Sequence, residues 1–341
     1  MLKMALKTTF SWFVLISLLL FLFLADLSLG SVPIPIGTII KILTLRADID
    51  PVLRDIVLEF RLTKAITCVL AGGGLAIAGL QMQTLFRNPL AGPDVLGLSA
   101  GASLAVSLIF MSNATGLVIF TKDAPWAVAL AASTGSAIVF SIMYVVARRL
   151  QDNASLLIVG LMVGAATSSI VSVLQYLSKA EELQVYVFWT FGSIGGLNWA
   201  EIKVLMFILI GGTGIALVTI KSLNAWLLGD QYAQSLGINI KGSRLRILLS
   251  TSILTGGITA FCGPIAFVGL AVPHLAKLLV RTTNHKVLIP AVVLGGASLL
   301  LFCDVLAQLP RDYVLPINAI TAMIGAPVVI WVILRKRFVN P

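Results

Sequence analysis

Long stretches without charged residues alternate with short polar segments along the chain. A helix needs about 20 mostly apolar residues to cross the hydrocarbon core of a bilayer, because each residue adds about 1.5 Å. Runs of this kind cover residues 8–25, 65–86, 95–121, 124–147, 153–178, 204–220, 247–276, 287–303 and 313–334. The run 247–276 is too long for one span, and Gly263-Pro264 is its expected break. The pattern therefore predicts an all-α protein with ten transmembrane helices.

A further charge-free run, residues 183–200, is harder to assign because its glycines and asparagine make it a poor span. The basic residues on either side decide the matter, since positive charge accumulates on the cytoplasmic side of a membrane protein. Basic clusters lie at 148–149 and 241–246, and two spans between them keep both clusters on one side. We therefore expect residues 183–199 to form a short helix at the outer surface, with both chain termini in the cytoplasm.

Composition favours a membrane protein over the other classes. Apolar residue types make up 58% of the 341 residues, charged types only 11%, and the mean hydropathy is +1.02. A soluble domain is about a quarter charged. The net charge of +10 arises from short clusters at the ends of apolar runs, which is typical of topology signals and not of a nucleic-acid surface. The segment 8–30 could be a signal peptide, but its apolar run is long for one, and we interpret it as an uncleaved first span.

The residues needed for several kinds of chemistry are absent from the sequence. There are two histidines, and no nucleophile–base or paired-carboxylate arrangement can be assembled. No P-loop signature is present, so ATP hydrolysis would need a separate subunit. Cys68, Cys262 and Cys303 are widely spaced within apolar runs, which indicates small buried hydrophobic residues and predicts no metal site. A membrane-embedded enzyme is therefore disfavoured, and a transporter is the expected class.

Four segments carry a resemblance to a known family. Residues 226–237 read WLLGDQYAQSLG and residues 263–274 read GPIAFVGLAVPH, while longer matching segments cover 61–101 and 310–336. In this order they resemble the FecCD-type permeases, which are membrane subunits of ATP-binding-cassette (ABC) importers for iron–siderophore complexes, haem and vitamin B12. The resemblance extends over essentially the whole chain. It implies a single transmembrane domain, residues 1–341, with the type II ABC importer permease fold.

The resemblance also implies a set of partners. A FecCD-type permease works in the bacterial inner membrane as a dimer, either with itself or with a paired homologue. Two cytoplasmic ATPase subunits carry ATP and Mg, and a periplasmic binding protein delivers the cargo, so no cofactor is expected in this chain. Whether the cargo is a ferric siderophore, haem or cobalamin stays open. The alternative is an ion-coupled secondary transporter, which the scarcity of ionisable residues in the span interiors disfavours.

The segment 221–241 begins the longest cytoplasmic connection of the predicted topology, and glycines at 229 and 237 divide it into two short helices. Apolar side chains on a water-facing segment indicate a surface for another protein. Its match to the family's coupling segment implies that it docks in a groove of the ATPase. The residues expected to make this contact are Leu228, Gly229, Asp230, Tyr232, Ala233 and Leu236.

Basic residues near the outer ends of the spans need a separate explanation, because positive charge is disfavoured on that side. In the family, cations before the second and tenth spans pair with glutamates of the binding protein. Arg61, Lys64 and Arg311 match those positions. Lys64 replaces an arginine and lacks the planar fork that pairs with a carboxylate through two bonds. Snorkelling of these side chains to the lipid headgroups is the alternative.

The resemblance also implies gate residues. The family's cytoplasmic gate corresponds to Asn88 and Leu90 after the second span, and to Asn153 and Ala154 at the start of the fifth. Within the fifth span, the small hydroxyl residues Ser168 and Ser172 can bond to their own helix and leave room for a bulky cargo. Ordinary packing of small residues is the alternative explanation for these serines.

Overall fold

The computed structural model describes residues 2–30, 32–44, 50–111, 125–150, 152–310 and 313–339. Within these ranges every regular element is helical, which confirms the all-α prediction. The helices in chain order are α1 (Leu2–Ser28), α2 (Ile36–Leu43), α3 (Pro51–Asp55), α4 (Leu62–Leu85), α5 (Leu98–Phe110), α6 (Pro125–Arg149), α7 (Asn153–Leu177), α8 (Ala180–Thr190), α9 (Trp199–Val218), α10 (Ile220–Trp226), α11 (Asp230–Ser235), α12 (Ile240–Cys262), α13 (Val268–Val280), α14 (His285–Ala307) and α15 (Ile317–Val339). A π-helical stretch, Ile56–Arg61, joins α3 to α4, and a 3-10 turn, Pro93–Leu96, precedes α5.

Membrane-spanning helices dominate the fold. Among the described residues, seven helical segments are long and apolar enough to cross a bilayer. They begin at Thr9, Pro51, Trp126, Asn153, Trp199, Ile240 and His285. Three shorter apolar helices, Leu98–Phe110, Val268–Val280 and Ile317–Val332, coincide with the other predicted spans. The chain is therefore a multi-pass membrane protein, and the total of ten spans stays a prediction.

The chain divides into two compact units, of which the first comprises residues 1–76, 193–206 and 266–341. In this unit α14 packs against α1, α13 and α15. Gly72 of α4 and Gly296 of α14 touch through their backbones, because a Cβ added to Gly72 would lie 2.2 Å from the Gly296 carbonyl oxygen. Small residues allow this close approach of helices in membranes. The prediction of a single domain stays a prediction.

The second unit comprises residues 77–192 and 207–265. Here α6 packs against α5 and α12, and a Cβ added to Gly135 would lie 2.1 Å from the Gly101 carbonyl oxygen. A buried polar cluster joins α4 to α12, since the hydroxyls of Ser250 and Thr251 each donate to Gln81 Oε1 at 3.1 Å. Buried polar groups require such partners, so these bonds define how the two helices meet.

The break predicted from a glycine position is confirmed, whereas the short helix predicted at 183–199 has other bounds, Ala180–Thr190. The helix α12 ends at Cys262, because Gly263 has a φ of +70°, and the next helix begins only at Val268. The run 247–276 is therefore broken where expected. The helix α8 has 11 residues, too few for a span, and ends before Gly192, whose φ is +73°. Its predicted place at the outer surface is not tested. All three cysteines are buried and free, as predicted.

Candidate functional site

The segment predicted to couple to a partner forms two short helices, α10 and α11. Gly229 has a φ of +115° and Gly237 a φ of +77°, conformations that residues with a Cβ rarely adopt. The two glycines therefore break the helices where the sequence indicated. Leu223 and Trp226 lie on α10 and pack into the hydrophobic core of the second unit. This core contact fixes the segment to its own unit.

One surface of this segment is apolar and exposed. The side chains of Leu228, Tyr232 and Leu236 are 65%, 50% and 57% exposed. The prediction that Ala233 contacts the ATPase is corrected, because Ala233 is fully buried in the same core as Trp226 and cannot belong to the exposed surface. Its side chain packs α11 against this core, while the neighbouring apolar side chains are exposed. We call Leu228, Tyr232 and Leu236 the coupling surface.

Asp230, the first residue of α11, forms an ion pair with Arg87 in the connection that follows α4. Arg87 Nη2 lies 2.5 Å from Asp230 Oδ1. Both side chains are nearly half exposed, so water screens the pair and it contributes little to stability, about 0–1 kcal/mol. Its importance is geometric, because it holds α11 beside the connection that contains Asn88 and Leu90. Sequence reasoning missed Arg87, since no local pattern relates two residues that are 143 positions apart.

The two predicted gate segments come together in the second unit. Asn88 closes a turn through its Oδ1, which accepts a hydrogen bond from the Leu90 backbone N–H at 2.9 Å. Asn153 Nδ2 donates to the carbonyl oxygen of Leu85 at 2.8 Å, and Leu85 is the last residue of α4. The end of α4 and the start of α7 are therefore in direct contact. Ala154 follows Asn153 and is exposed.

Asp152 defines where α7 begins. Its Oδ2 accepts hydrogen bonds from the backbone N–H of Ser155 at 2.8 Å and from the Ser155 hydroxyl at 2.9 Å. These bonds, the backbone bond above all, hold the pKa of the Asp152 carboxyl below its usual value. The ionised carboxylate caps the exposed N–H groups at the N-terminus of the helix.

The helix α7 is the most exposed of the seven long spans, with 22% of its most apolar window buried. Of the two serines predicted to bond to their own helix, Ser172 does so. Ser172 Oγ donates to the carbonyl of Ser168 at 3.1 Å, and Thr167 Oγ1 donates to the carbonyl of Val163 at 2.7 Å. A spanning helix with so little burial must face lipid, another protein or a pathway.

The predicted docking cations have partners within their own unit. Arg61 is 7% exposed, and its Nη1 donates to the carbonyls of Leu27 and Ser28 at 2.8 and 3.0 Å. Its Nη2 bonds to the carbonyl of Val32. Leu27 and Ser28 end α1, where carbonyl groups lack helical partners and a cation is favourable. Arg61 thus caps the C-terminus of α1.

Lys64 also points into the first unit. Its Nζ lies 2.7 Å from Asp304 Oδ2 and 3.4 Å from Asp26 Oδ1. Gln308 Nε2 donates to the same two carboxylates, at 2.6 and 3.1 Å. Arg311 lies outside the described residues. The docking role of the three cations stays a prediction, and for Arg61 and Lys64 it requires that these internal contacts open.

Comparison with known proteins identifies the chain. The sequence profile of the FecCD transport family matches residues 18–335. The chain belongs to the FecCD transport family. The hemin transport system permease protein HmuU of Yersinia pestis is 36% identical over 287 residues, covering 82% of this chain and 83% of HmuU. The vitamin B12 import system permease protein BtuC of Klebsiella pneumoniae is 34% identical over 282 residues, covering 82% of each chain.

A solved structure supports the same assignment for this FecCD chain. It is described as an inward-facing conformation of a metal-chelate type ABC transporter. The two structures align with a TM-score of 0.82 and 27% sequence identity, covering 95% of this chain and 98% of the other. The family assignment confirms the resemblance and identifies the chain as a transport permease.

Possible metal ligands in the FecCD chain are scattered. In the part of the chain that the structure describes, no group of three or more His, Cys, Asp or Glu residues could hold a metal ion. The cluster of Asp26, Asp304 and Lys64 places an ammonium group where a cation would bind. The expectation that this chain carries no cofactor stays a prediction.

Proposed function

We propose that this chain is the membrane-spanning subunit of an ABC importer that carries a metal chelate across the bacterial inner membrane. The family assignment and the similarity to HmuU, BtuC and a metal-chelate ABC transporter support this proposal. The cargo class is a ferric siderophore, haem or cobalamin. In this function the chain does no covalent chemistry, and ATP and Mg bind to the separate ATPase subunits.

The coupling surface is the observation that carries the proposal. Three large side chains, Leu228, Tyr232 and Leu236, are exposed on a polar connection. Exposed apolar surface of this kind is typical of a contact with another protein. The Arg87–Asp230 pair holds this surface beside the predicted gate connection. An ATPase docked here would therefore move a helix that is already bonded to the gate.

The exposure of α7 supports a second permease subunit. With few of its residues buried, α7 is free to face a partner copy and a pathway between the two copies. Ser168 and Ser172 would then line that pathway with small groups, and the Ser172 hydroxyl is already bonded to its own helix. In this arrangement both termini and the coupling surface are cytoplasmic, and a periplasmic binding protein delivers cargo on the opposite side.

Reconstituted uptake tests the proposal. The chain is co-expressed with an ATPase and a binding protein from the same genome and placed in proteoliposomes, with ATP supplied on the side of the ATPase. We expect uptake of one of haem, cobalamin or a ferric siderophore that depends on ATP and on the ATPase. Uptake by this chain alone, driven by a proton or sodium gradient, would instead establish the alternative of an ion-coupled transporter.

Charge reversal at Asp230 tests the coupling surface. Asp230→Arg places two cations together at Arg87, so we expect uptake to fall about tenfold or more while ATP hydrolysis continues, within the usual range of coupling effects. Adding Arg87→Asp to that variant restores an opposite-charge pair and should recover part of the uptake. Glu181→Arg reverses an exposed acid on α8 and serves as the control. Normal uptake by Asp230→Arg would remove this assignment.

A further inference from the structure

A buried arginine on α12 stands between the coupling segment and the start of α7. Arg244 is only 2% exposed, although it lies in the second turn of its helix. Its Nη1 donates to the carbonyl of Leu150 at 2.8 Å, directly after the end of α6. Leu150 lies three residues before Asn153, with which α7 begins. One hydrogen bond of the guanidinium therefore joins α12 to the connection between α6 and α7.

The residue before Arg244 joins the same helix to the coupling segment by a second contact. The hydroxyls of Ser243 and Ser222 lie 2.9 Å apart and are both buried, and Ser222 belongs to α10. The first turn of α12 is thus linked to α10 by a hydrogen bond. A displacement of α10 would therefore act on the residue next to Arg244.

The hydrogen bond from Arg244 to Leu150 leads toward the gate, because Asp152 and Asn153 follow Leu150 closely in the chain. Asp152 is fixed to the first turn of α7 by its two hydrogen bonds with Ser155. The adjacent Asn153 bonds to the last carbonyl of α4, that of Leu85. A force on Asp152 therefore reaches the contact between the two predicted gate segments within one residue.

We propose that Arg244 is a positioning residue that transmits movement of the coupling segment to the gate end of α7. This proposal rests on the proposed function. Arginine suits the role because its planar guanidinium presents its donors in a fixed geometry, so the bond to the Leu150 carbonyl also fixes the orientation of the side chain. The ammonium group of lysine keeps the charge but lacks this fixed geometry.

Coupled transport measurements test the role of Arg244. In the reconstituted complex, Arg244→Gln should lower the cargo taken up per ATP hydrolysed by about fivefold or more, within the usual range of coupling effects. ATP hydrolysis should stay within twofold of the wild type. The uptake per ATP hydrolysed by Arg244→Lys should lie between that of the wild type and that of Arg244→Gln. The matched control is Arg246→Gln, because Arg246 is exposed on the same helix and bonds to the carbonyl of Gly242 in that helix.

A double-mutant cycle separates transmission from a purely structural role. If Arg244 acts through Asp152, Arg244→Gln and Asp152→Asn should reduce the coupling ratio non-additively, whereas Arg246→Gln and Asp152→Asn should combine additively. Equal losses of uptake and ATP hydrolysis in Arg244→Gln, or an unchanged ratio, would overturn the proposal. A wild-type complex without ATP-dependent uptake would refute the proposed function, and the proposal for Arg244 would fall with it.

Discussion

Replacing Lys64 by methionine should destabilise the folded protein. Loss of a lysine that acts only in docking to a binding protein would leave the stability unchanged. The substitution keeps the length of the side chain but removes its charge. Lys64 is only 14% exposed, and it bonds to Asp304 at 2.7 Å and to Asp26 at 3.4 Å. Without it, two buried carboxylates, one on α1 and one on α14, would lose their cation.

The expected magnitude follows from these contacts. Removing one partner of a buried ion pair costs about 3–5 kcal/mol, because the remaining charge is left without compensation. Gln308 still donates to both carboxylates after the change, at 2.6 and 3.1 Å. This retained donor places the loss near the lower limit, about 3 kcal/mol. Adding Asp304→Asn removes the carboxylate nearest to Lys64 and should recover part of that loss.

Unfolding in mixed micelles of a mild detergent and dodecyl sulfate measures this effect. Lys41→Met is the control, since Lys41 is an exposed lysine in the same unit and its loss should change the free energy of unfolding by about 0.5 kcal/mol or less. The affinity for the binding protein is measured in parallel. A Lys64→Met variant with normal stability that fails to bind the binding protein would refute the stabilising role of Lys64 and would support its docking role.

Two further predictions concern glycines. Gly135→Ala places a Cβ 2.1 Å from the carbonyl oxygen of Gly101 and should cost about 1–3 kcal/mol of stability. Gly214→Ala on α9 places a Cβ with nothing within 4 Å, and it should stabilise the protein slightly because alanine favours a helix more than glycine does. Thermal unfolding of both variants in one detergent checks the opposite signs, and equal effects would contradict the close helix contact. Gly229→Ala forces a side chain into a φ of +115°, at a cost of about 1–3 kcal/mol that distorts the coupling surface. Retention of the ATPase by this variant in a pull-down should fall, and wild-type retention would contradict the strained conformation.

Local sequence patterns predicted most of the fold, because membrane helices obey local rules. A span must satisfy its backbone hydrogen bonds within itself, so its length and apolar character are visible without knowledge of any neighbour. The break at Gly263 and the division of the coupling segment at Gly229 are equally local, since each follows from a residue without a Cβ. The extent of α8 is different from the prediction. The sequence predicts a helix at 183–199, and α8 runs from Ala180 to Thr190.

Side-chain partners across the chain were decided only by the tertiary structure. Arg61 and Lys64 looked like free surface cations because a charge near a span end does not reveal which way it points. Packing within the first unit turns both inward, to the carbonyls that end α1 and to the carboxylates of Asp26 and Asp304. The family resemblance predicted where these cations lie in the chain and left their contacts open.

The sequence by itself determined that this chain crosses a membrane repeatedly, lacks the P-loop motif for hydrolysing ATP and belongs to the FecCD transport family. Those properties depend on composition and on short motifs. The tertiary structure alone decided that Asp230 pairs with Arg87, that Asn153 bonds to the end of α4 and that Arg244 is buried and bonds to Leu150. Such contacts join residues far apart in the chain, and they form only when helices pack so that each buried polar group meets a partner.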